Sequence, residues 1–373
     1  MVRRKRWMAW MMVLTVLFPW VPITSAEAAA APSISAQAAA VIDVESGRIL
    51  YEKSGNKKMR VASLTKIMTA IVAIEEGNLQ EMVRVPGYAV GTEGSSIYLR
   101  KDEELSLEDL LYGLMLRSGN DAAVTIADHI GGSVEGFARL MNEKAEYLGL
   151  SGTHFTNPHG LDDSNNHFST ANDMAKLTSY ALHNPDFRRI VATKVKRIPQ
   201  PGEKWDRSLI NKNKMLSYYE GADGVKTGYT KLAKRCLVSS ATREERQVAV
   251  VTLNAPNDWD DHAKLLDYGL KQFTRTQIVS ETEKFDDLQP IRSFHYPLAE
   301  GEAEQITKRV ELDRSMKSML PGGVGGYLHI SLKDKEIARI GLVYQAEETM
   351  KWGEGGPIVR FFQIFKSMIL GGL

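Results

Sequence analysis

The chain has 373 residues, 25% of them charged, and its 47 Lys and Arg against 46 Asp and Glu leave a formal charge of +1. That balance excludes a polybasic nucleic-acid binder, and the lack of repeats or low-complexity tracts excludes a fibre, a solenoid or a disordered chain. A single cysteine excludes an internal disulfide, so stability must come from a packed core, which this length can supply.

Arg3, Arg4, Lys5 and Arg6 precede an apolar run from Trp7 to Ile23 and then the small residues Ser25-Ala26-Glu27-Ala28. This is the layout of a secretory signal peptide over residues 1–28. Left uncleaved, the same segment would act as an N-terminal anchor, but Pro19 and Pro22 favour cleavage and export. Residues 29–37 read as a short leader. Ala38–Asp43 and Arg48–Glu52 read as strands around a Glu45-Ser46-Gly47 turn.

From Ser63 an apolar segment of helical length runs to Ile74 and closes at Gly77-Asn78. Ser63 and Lys66 share one helix face there, at the end where the helix dipole favours developing negative charge. Such a serine is a candidate nucleophile, with the lysine as its proton acceptor. Ser106-Leu107-Glu108-Asp109 is a capping box ahead of a helix that stops at Ser118-Gly119-Asn120, and Ala122–Ile130 continues as another. A short polar loop between two buried helices aims side chains into a cleft. Helical patterns follow at Val134–Leu148 and Thr170–Leu182. The polar stretch between them carries His159 and His167, the second expected on the loop surface.

From Gly221 the pattern becomes that of strands: Asp223–Thr230, which contains Lys226-Thr227-Gly228, then Leu237–Thr242 and Gln247–Leu253, before helix returns over His262–Phe273. Cys236 stands in the apolar run Cys236-Leu237-Val238 and reads as a buried core thiol. Early and late strands around a helical middle predict a sheet covered by helices. After Arg275–Ile278, short strand-like runs such as Tyr327–Leu332 and Ile337–Tyr344 predict a small all-β domain over 275–348, a platform without chemistry of its own.

Residues 349–373 hold the Gly353-Glu354-Gly355-Gly356 hinge and then Pro357–Leu370, in which Arg360, Gln363, Lys366 and Ser367 form one helical stripe beside a Phe-rich remainder. The run is too short for a bilayer span, which takes about 20 residues. It suits an amphipathic helix lying in a membrane interface, or alternatively a helix docked on the protein's own core.

Ser63-x-x-Lys66, Ser118-Gly119-Asn120 and Lys226-Thr227-Gly228 form an ordered set, and the chain resembles the low-molecular-mass penicillin-binding proteins that are serine D-alanyl-D-alanine carboxypeptidases of the peptidase S11 type. Val61–Ala70, Leu116–Ala123, Asn157–Asp162 and Asp223–Thr230 extend the likeness over about residues 36–273. It implies an α+β fold: a β-lactamase/transpeptidase-like catalytic domain at 29–274, an antiparallel sheet covered by helices plus a helical subdomain, followed by the β domain and the terminal helix. It also implies Ser63 as nucleophile, Lys66 as base under the influence of Lys226, and Ser118 as proton relay to the leaving D-alanine. Asn120 would hold the peptide amide and Thr227 the terminal carboxylate. The backbone N–H groups of Ser63 and of Tyr229, just after Gly228, would form the oxyanion hole. His159 would stand near the cleft, either influencing deacylation or only bonding within its loop.

The implied enzyme works at the extracytoplasmic face of the membrane, trims peptidoglycan stem pentapeptides ending in D-Ala-D-Ala and is blocked covalently by β-lactams. It takes no metal, no other cofactor and no nucleic acid. The same motifs would serve a DD-endopeptidase cutting cross-links, and the reading from another class is a non-catalytic wall-binding protein. One residue departs from the pattern. Many relatives carry an arginine seven positions before a Leu-Leu pair; here the pair is Leu265-Leu266 and the position is Asp258, expected to repel a substrate carboxylate. That departure fits a specialised wall substrate, for example spore or otherwise modified peptidoglycan.

Overall fold

The computed structural model describes residues 31–313 and 323–344, so the expectations for a signal peptide and a terminal amphipathic helix lie outside the described residues. Five antiparallel strands form the main sheet, in the order Ile49–Lys53, Ala38–Asp43, Arg246–Leu253, Lys234–Arg243, Ala222–Thr230. Ala38–Asp43 is buried at every position and pairs on both sides, as a continuous apolar run in a covered sheet should. Its alternate residues serve two cores. Ala38, Ala40 and Ile42 join the helical side, whereas Ala39 and Val41 pack with Leu265 and Leu266 of the helix Asp258–Lys271. Ala222–Thr230 is left as an edge strand.

The helix Lys66–Glu76 is buried from Lys66 to Ala73 and packs against Leu107–Leu116, Asn120–Gly131, Val134–Tyr147, Ala171–His183 and Pro185–Ala192. The Asp109 N–H donates to Ser106 Oγ at 3.1 Å, so the serine read as a cap is one. Ser133 and Thr170 cap Val134–Tyr147 and Ala171–His183 in the same way. The stretch from 183 to 220, for which the sequence suggests no element, holds Pro185–Ala192, Val195–Ile198, Arg207–Ile210 and Met215–Tyr218. The helix Asp258–Lys271 starts ahead of the His262 signal because Asp258, Asp260 and Asp261 form an acidic first turn that suits its positive end.

Beyond it lies a small curled antiparallel sheet in the order Leu288–Pro290, Lys335–Tyr344, Val324–Leu332, Ile306–Leu312, with Thr274–Val279 paired to Phe294–Leu298 alongside. Its core is Val279, Leu288, Leu328, Ile330, Ile340 and Leu342. Arg48, in the turn after Ala38–Asp43, ties this part to the main sheet by donating to Pro297 O and Glu302 Oε1 at 2.5 and 2.8 Å. Burial opposes ionisation of Glu302, but bonds from Arg48, the Ala299 N–H and Lys333 prevail and hold its carboxyl down at about 2.

Candidate active site

Ser63 does not open an α-helix. Ala62 takes a φ of 48°, Ala62–Thr65 forms a 3₁₀ turn, and the α-helix begins at Lys66. Thr65 Oγ1 donates to Ala62 O at 2.9 Å and lies 2.8 Å from His167 Nε2. A hydroxyl has one hydrogen, so with that hydrogen on Ala62 O the imidazole Nε2 must donate to Thr65. His167 Nδ1 is then free to accept the Thr156 N–H at 3.1 Å. The expectation that His167 lies on the loop surface is wrong: it is 3% exposed, and burial, then the charge of His154, pushes its pKa down to about 4. The polar loop folds back over the start of the helix and buries a neutral histidine as a strut for the Ser63 turn.

Lys66 is fully buried, and its Nζ reaches Ser63 Oγ at 3.2 Å, Asn120 Oδ1 at 2.7 Å and His159 O at 2.7 Å. Burial first, then the Lys226 and Lys212 charges, hold this amine well below the ordinary lysine value of 10.5. A neutral amine has two hydrogens and one lone pair. With the hydrogens directed at Asn120 Oδ1 and His159 O, which only accept, the lone pair faces the Ser63 hydroxyl.

The Asn157-Pro158-His159-Gly160 turn supplies that acceptor. Asn157 Oδ1 accepts the N–H groups of His159 and Gly160 at 3.2 and 2.7 Å, which turns Pro158 O onto Thr69 Oγ1 (2.6 Å) and His159 O onto Lys66. The His159 ring accepts the Leu161 N–H at 3.2 Å and is kept neutral, its pKa lowered to about 3 by burial and then by Lys66. His159 thus meets the site through its carbonyl. Gly160 has a φ of +84° and lies so close to the Ser63 turn that a Cβ there would come within 1.8 Å of Ala62 O. Gly160→Ala is therefore expected to cost roughly 1–3 kcal/mol in urea unfolding and to slow acylation by displacing Ala62. An unchanged unfolding midpoint would show that the turn gives way freely.

Ser118 lies in the loop between two helices with a φ of 63°, and it is 4% exposed. The loop is held from both sides: Gly119 N donates to Gly113 O at 3.1 Å, and Asn120 N to Ser95 O at 2.7 Å. Asn120 shares its amide between Lys66 and Glu93 O, the latter at 2.5 Å. The third motif comes from the edge strand. Lys226 is 1% exposed, donates to Thr227 O at 2.8 Å, and has its pKa lowered to about 7 by burial and then by Lys212. Gly228 packs against the Ser63 turn, where a Cβ would meet Ser63 N at 3.3 Å, so the backbone of 228–229 runs beside that N–H.

A cleft of about 370 Å³ is lined by Ser63, Ser118, Thr227, Gly228 and Tyr229, together with Ser95, Lys212, Lys214, Arg235, Cys236, Asp258 and Trp259. The predicted residues come together here, Lys66, Asn120 and Lys226 forming the buried layer behind Ser63. Cys236 is buried as expected, and burial pushes its thiol up to about 12, a value that makes it inert. Sequence reasoning passed over Ser95, Lys212, Lys214, Arg235 and Trp259, because none belongs to a motif. Asp258 is not the bare anion expected: its Oδ1 accepts from Arg235 Nη2 at 2.8 Å and from Trp259 N at 3.0 Å. A buried aspartate calls for a cation, and Arg235 supplies it.

A family model described as D-alanyl-D-alanine carboxypeptidase, peptidase S11, matches residues 25–257. D-alanyl-D-alanine carboxypeptidase DacF of Bacillus subtilis is 31% identical over 85% of this chain and 87% of its own length. D-alanyl-D-alanine carboxypeptidase DacC of Escherichia coli is 36% identical over 74% of this chain and 72% of its own. Among solved structures, penicillin-binding protein 5 from Haemophilus influenzae superposes with a TM-score of 0.71 at 28% identity, covering 85% of this chain and 98% of that one.

Proposed function

The chain belongs to the D-alanyl-D-alanine carboxypeptidase family of serine peptidases, and on that premise we propose that Ser63 carries the acyl group when it trims stem peptides ending in D-Ala-D-Ala. The observation that carries this reading is the buried Lys66 amine, with its two acceptors Asn120 Oδ1 and His159 O and its lone pair towards Ser63 Oγ. Ser63 Oγ attacks the carbonyl carbon of the penultimate D-alanine and gives its proton to neutral Lys66. The resulting oxyanion is received by the N–H groups of Ser63 and Tyr229. The intermediate collapses by breaking the C–N bond, and a proton passed through Ser118 Oγ leaves with the amine of D-alanine. Water then hydrolyses the ester. Asn120 orients the substrate's amide, Thr227 binds its carboxylate, and the nearby Lys226 amine adds to the burial that holds the Lys66 pKa down. A β-lactam would acylate Ser63 by the same route.

Residues 29–274 act as the catalytic domain and 275–348 as its platform. The extracytoplasmic enzyme is held at the membrane surface by an amphipathic helix within 349–373. The decisive assay offers a stem pentapeptide and a cross-linked dimer and measures free D-alanine from the first and monomer peptides from the second. Release from the pentapeptide with little cleavage of the dimer is expected, and the reverse preference would make the protein an endopeptidase. Deleting 357–373 is expected to leave a soluble, active enzyme. If the truncated protein still sediments with membranes, the anchor lies elsewhere.

A further inference from the structure

We infer that Arg235, fixed by Asp258, is the guanidinium that receives the substrate's terminal carboxylate and so sets the requirement for a free C-terminus. The inference rests on the function proposed above and adds the residue that reads the end of the peptide. Arg235 stands on Lys234–Arg243, directly opposite Tyr229 of the edge strand, and Leu237 stands opposite Thr227. Opposed residues of an antiparallel pair project to one face, so the guanidinium shares a face with the Thr227 side chain. Both residues line the cleft that contains Ser63.

The arginine is available and held in place. Its side chain is 44% exposed, and its one hydrogen bond among the described residues is from Nη2 to Asp258 Oδ1, at 2.8 Å. Arg235 lines the cleft, and its other N–H donors have no partner among the described residues. Asp258 is only 6% exposed, begins its helix, and also accepts the Trp259 N–H, while the Trp259 ring lies 6.0 Å from the guanidinium carbon. A buried carboxylate on one edge and an indole beside it leave the opposite edge of the guanidinium for a planar, two-pronged bond to a second carboxylate. Asp258 therefore does not repel the substrate; its charge is spent on Arg235.

Two of the other cations serve differently. Lys226 is enclosed and bonded to Thr227 O, so it contributes charge but no open donor surface. Lys212 donates to Ser95 Oγ at 2.9 Å, on the side of the cleft formed by the Ser118 loop.

The test compares D-alanine release from a stem peptide ending in a free carboxylate with cleavage of the same peptide carrying a C-terminal amide. Arg235→Ala is expected to lower kcat/KM on the free acid roughly 10- to 100-fold, mostly through KM, with little further loss on the amide, since charged hydrogen bonds are of that strength. Arg235→Lys, which keeps the charge but not the fork, is expected to fall between. Asp258→Asn is expected to erode the same acid-to-amide ratio by releasing the guanidinium, and it decides the matter if Arg235→Ala melts below the assay temperature. An unchanged acid-to-amide ratio in the folded variants would overturn the inference while leaving the carboxypeptidase intact. A wild-type protein that releases no D-alanine from the free acid would overturn the proposed function itself, and this assignment with it.

Discussion

Ser63→Ala is expected to form no covalent adduct with labelled penicillin, and its release of D-alanine to fall by roughly 10⁴-fold or more, the range seen when a serine nucleophile is deleted. The expected loss is this large because no other hydroxyl occupies the position Lys66 addresses. Lys66 Nζ meets Ser63 Oγ at 3.2 Å, and its other two contacts are acceptors that cannot attack a carbonyl. The substitution removes one oxygen from a half-buried site and leaves the Thr65–Ala62 and Thr65–His167 bonds that hold the turn. The variant should therefore fold normally and still bind peptide weakly through Thr227 and the cleft cations. Mass spectrometry of the protein after exposure to penicillin checks the outcome directly. A stoichiometric adduct on the alanine variant would move the nucleophile to Ser118, the other serine of the motifs in the cleft.

The chemistry was legible in this chain because its parts are local strings placed at element ends. A serine and lysine one helical turn apart, a Ser-Gly-Asn loop between two helices, and a Lys-Thr-Gly strand can each be read without knowing the fold. Their convergence follows from topology: Ala38–Asp43 pairs with Arg246–Leu253, so the chain's early and late strands share one sheet and bring Lys226 beside the Ser63 turn. What escaped the sequence depends on partners far along the chain. His167 looked like surface because its neighbours are polar, yet its partner Thr65 lies 102 residues away. Asp258 looked like an obstacle because its partner Arg235, 23 residues earlier, sits in no motif. Burial of a polar side chain is set by tertiary hydrogen bonds, and no periodicity in the sequence reports it. The 3₁₀ turn at Ser63 was hidden for a similar reason: Ala62 tolerates its φ of 48° only because the turn is fixed by Thr65 and packed against Gly160 and Gly228.

Lys66→Met separates the proton acceptor from the nucleophile. Its acylation rate is expected to fall roughly 10²- to 10⁴-fold, the usual contribution of a general base, and also to lose its dependence on pH. In the wild type Lys66 must be neutral to accept the Ser63 proton. The rate should therefore drop about tenfold per pH unit below the amine's own pKa, which burial, Lys226 and Lys212 hold well under 10.5. Methionine fills the buried space without a titrating group, so the residual rate should be flat across that range.

Stability carries a second signature. A buried lysine with a lowered pKa binds fewer protons folded than unfolded, so it makes the fold more stable as pH rises towards its unfolded value and less stable as pH falls. For Lys226 that window runs from about 7 to 10.5, with a slope near 1.4 kcal/mol per pH unit, and Lys66 adds to it in the wild type. In the variant the Lys66 share disappears, so the rise in unfolding free energy between neutral and alkaline pH should be shallower. Urea titrations at pH 7 and 9, beside acylation rates over the same range, measure both effects on one preparation. A variant that keeps the wild-type rising limb in acylation would assign the base to another group, and Lys226 would be the first to replace.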